Sequence, residues 1–100
     1  MNIEKRIIQD ILACCQPKYI ILYSEKTSLF DHILRGANFC IVVPTLEKKK
    51  LTHKLYLTIS ADIPFNLLLY TPEEWAQMIA DPASYASHIA KKGTVLYEQT

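Results

Sequence analysis

The sequence predicts an α/β (α+β) fold: a small mixed β-sheet of three to four strands flanked by helices, with residues 1–100 forming one domain. Three observations carry this expectation. Short apolar runs rich in β-branched and aromatic residues recur at Lys18 to Tyr23, Asn38 to Val43 and Phe65 to Tyr70. Segments with apolar residues at helical spacing separate them. Neither a repeat nor a low-complexity linker interrupts the alternation.

Taken in order, Ile3, Ile7, Ile8, Ile11, Leu12 and Cys15 form one face of a first helix that Pro17 ends. The strand from Lys18 to Tyr23 follows, bounded by the polar run Ser24 to Ser28. Leu29, Phe30, Ile33 and Leu34 predict a second helix capped at Gly36. A second strand runs from Asn38 to Val43 and stops at Pro44. Between Leu46 and Ile59 two periods compete: Leu51 and Leu55 suit a helix, whereas Leu55, Leu57 and Ile59 alternate as in a strand. Helix is the expectation, through at least Tyr56.

Phe65 to Tyr70 form the third strand. Thr71-Pro72-Glu73-Glu74 is then a capping box, with Thr at the N-cap, Pro at the first helical position and Glu at the third. Asp81-Pro82 predicts the start of another helix, ending at Lys91-Lys92-Gly93, and Thr94 to Glu98 a closing strand.

Composition narrows the function classes. Half of the residues are apolar, and 11 basic residues against 10 acidic ones leave a net charge of +1. Such a balance gives no strong signal for nucleic acid. The longest apolar run falls far short of the roughly 20 residues that cross a bilayer, and Glu4, Lys5 and Arg6 stand where a secretion signal would be apolar. A cytoplasmic location without membrane contact is therefore expected. Cys14, Cys15 and Cys40 are odd in number and suit neither a disulfide framework nor a zinc knuckle, which leaves them as reduced thiols.

Several segments resemble the minimal nucleotidyltransferase family, a reduced relative of the DNA polymerase beta catalytic fold. Pro17-Lys18-Tyr19-Ile20-Ile21-Leu22-Tyr23 is similar to its first strand, and Pro64 to Glu74 to its third-strand segment Pro-Val-Asp-Leu-Leu-Val-x-Thr-Pro-Glu-Glu. Ser84-Tyr85 and Ile89 to Glu98 resemble its closing helix and strand.

In active members of that family, an Asp-x-Asp pair and a third Asp hold the metal ions of nucleotidyl transfer. Asn38, Cys40 and Asn66 occupy those places here. Asn offers a neutral oxygen and Cys a soft thiol, so three negative charges are missing where Mg²⁺ would sit. The resemblance also implies a phosphate-binding Gly-Ser turn after the first strand. Ser24-Glu25 replaces it with an acid and no Gly, which leaves Ser24, Lys26 and Ser28 as weak candidates for nucleotide contact.

Other residues invite chemistry but have a simpler reading. Cys40 in an apolar strand and Cys14-Cys15 at a helix end are more often packing residues than reactive thiols. His32, His53 and His88 lie on different elements without a metal-ligand spacing. Lys48-Lys49-Lys50 with Lys54 reads as a solvated face, and Trp75, Tyr70, Tyr85 and Tyr97 as core before docking anchors.

The expectation is a catalytically inactive nucleotidyltransferase-like domain that acts as a protein-binding module, with no cofactor. For a partner, the resemblance implies a small helical HEPN-type toxin, because minimal nucleotidyltransferases of prokaryotes commonly work as its antitoxin; a homo-oligomer is the other option. Two alternatives remain open. One is an active enzyme using Mg²⁺ and a nucleoside triphosphate with ligands such as Glu25, Asp31 or Asp62, and the other is a nucleotide sensor without catalysis.

Overall fold

In the computed structural model, residues 3–27 and 34–99 are described. Four helices and four strands are found among them: α1 (Ile3–Cys14), β1 (Tyr19–Thr27), β2 (Leu34–Val42), α2 (Lys48–Thr58), β3 (Phe65–Tyr70), α3 (Pro72–Ile79), α4 (Tyr85–Lys92) and β4 (Thr94–Glu98). The strands form one mixed sheet in the order β3-β2-β1-β4. β1 runs antiparallel to β2 and β4, while β2 and β3 run parallel and are joined through α2.

Side chains alternate across the sheet, so each face builds its own core. On one face, Ile20, Leu22, Phe39, Ile41 and Leu69 meet Ile7 and Ile11 of α1 and Leu55 of α2. On the other, Ile21, Cys40, Val42 and Tyr70 meet Trp75 of α3 and Ala86 and Ile89 of α4. The result is a small α+β domain with a helical layer on either side of the sheet. Full burial of a side chain such as Phe39 or Ile11 is worth roughly 1.5–3 kcal/mol, and these two cores supply most of that term.

The contested segment folds as α2. Its apolar residues explain the outcome: Leu51, Leu55 and Ile59 lie four residues apart and pack inward, whereas Leu57 is 76% exposed. A strand would have buried Leu57 with Leu55. The capping box is formed in full, since Thr71 Oγ1 accepts from the Glu74 N–H and Glu74 Oε1 accepts from the Thr71 N–H.

Three sequence expectations need correction. β1 does not stop at Tyr23 but continues through Ser24, Glu25 and Lys26 to Thr27. The helix expected over Leu29 to Gly36 falls partly on residues 28–33, outside the described residues. Its expected end, Leu34-Arg35-Gly36, belongs to β2, where Gly36 pairs with Lys26. Helical spacing was the weaker signal because pairing with Lys26 and Thr27 of β1 holds Gly36 and Leu34 in a strand, across a register shift that leaves Arg35 between them. Finally, α4 begins three residues after Asp81-Pro82. Ser84 is its N-cap and accepts from the Ser87 N–H, while Asp81 and Pro82 form the preceding turn.

Candidate functional site

The region singled out by the sequence lies where three strands extend beyond the α3 and α4 layer. Register places Ser24, Asn38 and Asn66 side by side on β1, β2 and β3. Tyr23 is the extra residue that makes this alignment: Leu22 pairs with Phe39 and Ser24 with Asn38, so a β-bulge at Tyr23 brings Ser24 opposite Asn38. In the parallel pair, Asn66 Nδ2 donates to Asn38 Oδ1 at 2.9 Å.

Beyond this row the strands line an open depression of about 190 Å³, bounded by Ser24, Glu25, Lys26, Arg35, Gly36, Ala37, Asn38, Pro64 and Asn66. Gly36 contributes no side chain, which keeps the depression open there. A Cβ there would meet only the Pro64 carbonyl at 3.7 Å and Lys26 at 3.9 Å. Lys26 and Arg35 supply two positive charges and Glu25 one negative charge.

Cys40 stands one rung further along the same face, paired with Leu68 and Ile21, but it does not share the depression. The side chain is 0% exposed and packs among Val42, Tyr70, Trp75, Ala86 and Ile89. Burial pushes its thiol up to about 12, so it stays protonated at neutral pH. Of the three positions matched to family acids, the fold thus joins Asn38 and Asn66 and withdraws Cys40 into the core.

The remaining candidates divide in the same way. Ser24 and Lys26 line the depression, whereas Ser28 and Asp31 lie outside the described residues. Asp62 is exposed on the turn before β3 and is not part of the lining. Arg35 and Gly36 were assigned to a helix by the sequence reading. Extending the strand alternation backwards from Val42 through Cys40 and Asn38 would have found Gly36, but not Arg35, which falls at a register shift.

These donors do not fit Mg²⁺ as nucleotidyl transfer needs it. Two-metal chemistry requires several hard anionic oxygens converging on ions roughly 3.5–4 Å apart. The row offers two amides and a hydroxyl, and the lining holds a single carboxylate, Glu25. Among the described residues, no group of three His, Cys, Asp or Glu side chains is placed to hold a metal ion.

Among residues outside the depression, Cys15, Trp75 and Tyr70 are packing residues as expected, Lys48 is held in an ion pair with Glu74, and His32 lies outside the described residues. Cys15 Sγ donates to the Ile11 carbonyl at 3.5 Å, and burial, with Cys14 beside it, pushes its thiol up to about 11. Trp75 and Tyr70 are buried against each other at 5.7 Å. Tyr85 differs: it is 56% exposed, stacks on His88 and meets the Tyr23 ring edge-on at 6.0 Å. No helix is long and apolar enough to cross a membrane among the described residues.

No family model, curated protein or solved structure matches this chain.

Proposed function

We propose that this chain is a nucleotidyltransferase-like domain that has lost catalysis and works by binding another protein. The observation that supports this reading most is the Asn66–Asn38 hydrogen bond. Two acids at these positions would repel each other and draw in a cation. The amides instead satisfy one another and leave the row neutral. Cys40, the third matched position, is a core residue and has no access to a ligand. A HEPN-type helical protein is the partner class that the family resemblance suggests, and a second copy of the chain is the other candidate.

Thermal unfolding with Mg²⁺ and each nucleoside triphosphate tests the loss of catalysis. A ligand at a hundredfold its dissociation constant stabilises the folded state by about 2.7 kcal/mol, which a melting curve resolves readily. No metal-dependent shift is the expected result. A clear shift, or transfer of labelled nucleotide to any protein, sinks the proposal in favour of an enzyme.

A further inference from the structure

β3 is an edge of the sheet, and its free side carries a second concavity. Backbone bonds fix which groups face outward. The N–H of Ala37 donates to the Pro64 carbonyl and that of Val43 to the Tyr70 carbonyl. In a parallel pair this assigns the even-numbered residues of β3 to β2 and turns the N–H and C=O groups of Leu67 and Leu69 away from the sheet. The Leu67 N–H is capped by the Tyr56 hydroxyl at 2.9 Å. Nothing among the described residues caps the N–H of Leu69 in the same way.

α2 runs alongside this edge and closes a groove of about 380 Å³ against it. Leu67 to Leu69 form one wall and Lys48, Lys49, Thr52 and His53 the other. Side-chain contacts flank both ends. Tyr56 stacks on Phe65 at 5.3 Å beyond Leu67, and Lys48 binds both oxygens of Glu74 at 2.9 Å at the opposite end. Between them the groove has an apolar floor, an outward-facing backbone pair at Leu69 and no acidic side chain in its lining. Lys49 has no ion-pair partner among the described residues. An unpaired edge that lines a groove is a template for a further strand, and its charge selects the partner.

We infer that this groove takes a short, extended, acidic segment of a partner protein by β-strand addition. One residue of the segment would exchange both backbone hydrogen bonds with Leu69. A carboxylate two positions away, on the face of α2, would meet Lys49 and His53, and its apolar neighbours, on the opposite face, would cover Leu68. The inference rests on the protein-binding reading and adds to it a surface and a partner chemistry.

A fluorescein-labelled peptide of alternating glutamate and valine is the probe, with the lysine–valine peptide as its counterpart. Fluorescence anisotropy should show the acidic peptide binding at low salt and weakening as ionic strength rises. The Leu69 amide resonance should shift with it. Lys49→Glu combined with His53→Glu alters two exposed side chains and should weaken binding at least about tenfold, while Lys92→Glu at the end of α4 leaves it unchanged. The inference is overturned by equal binding of both peptides, by no binding of the acidic one, or by shifts at β4 without β3. Metal-dependent nucleotide binding by the same protein would sink the non-catalytic reading alone, so the two failures are distinguishable.

Discussion

Asn66 Nδ2 donates a 2.9 Å hydrogen bond to Asn38 Oδ1 across paired rungs of β3 and β2. The pair is neutral, and the two side chains meet only because β2 and β3 are in parallel register. Replacing both residues by Asp puts two carboxylates at hydrogen-bonding distance, which raises their shared pKa in the folded state. A raised folded-state pKa means that stability is present in acid and lost as pH rises. Asn38→Asp with Asn66→Asp should therefore cost about 1 kcal/mol at neutral pH, because Asn66 is exposed and solvent screens the pair, and little below pH of about 4. Mg²⁺ should restore part of the loss. Unfolding that ignores both pH and Mg²⁺ would show that the two side chains do not act on one another.

Cys40 is left out of that variant for a structural reason. An Asp there would place an unpaired charge in a core with 0% exposure and unfold the domain outright. Its thiol, held near 12 by burial, should resist alkylation in the folded protein at neutral pH and react at a rate set by unfolding. Mass spectrometry of a time course measures this directly. Fast native labelling of Cys40 would mean that the α3 and α4 layer opens.

The sequence was most readable where local chemistry and tertiary packing agree. Thr71, Pro72 and Glu74 specify a helix start with their own side chains, and the structure has that start. The third strand was equally plain, since Phe65 to Tyr70 lie between Pro64 and Thr71-Pro72, whereas the closing strand, Thr94 to Glu98, was the optional fourth of an expected three to four. Harder to read were positions decided by partners distant in the chain. Leu34 to Gly36 have a helical pattern but are held in β2 by Thr27 and Lys26. Asn38 and Asn66 were matched as lost acids, yet their mutual bond depends on a parallel register that no local pattern encodes. Nor did any motif mark the groove beside β3, which arises from where α2 is laid.

Glu74 joins two such levels. Its carboxylate accepts from the Thr71 N–H and from Lys48 Nζ, and these bonds hold it below the ordinary value of 4.5, the Thr71 backbone contributing most. A depressed folded-state pKa gives stability that is present above the unfolded value and lost as pH falls through the folded one. Glu74→Gln keeps an acceptor for the capping box but removes the charge. It should cost less than about 1 kcal/mol at neutral pH and flatten the acid limb of the stability curve. Glu74→Ala, which also loses the cap, should cost about 1 kcal/mol more. Urea unfolding of both variants at neutral and acid pH separates the two contributions. Identical losses would mean that the ion pair, and not the cap, carries the effect.

Gly93 sets the tightest steric limit, where α4 passes into β4. Its φ of −77° is open to any residue, so the requirement is one of space. A Cβ would lie 2.5 Å from Ile21 Cγ2 and 2.6 Å from the Ile89 carbonyl oxygen, and the Gly93 N–H already donates to that same carbonyl at 2.7 Å. Side-chain rotation at Ile21 relieves only one of these contacts, because the other is backbone. Gly93→Ala should therefore destabilise by about 1–3 kcal/mol, whereas Gly36→Ala, with neighbours at 3.7 and 3.9 Å, should stay within about 0.5 kcal/mol of the parent. Adding Ile21→Ala to Gly93→Ala should recover part of the steric cost, giving a coupling of at least about 0.5 kcal/mol in a double-mutant cycle. Strict additivity would show that the Ile89 carbonyl alone enforces glycine at this turn.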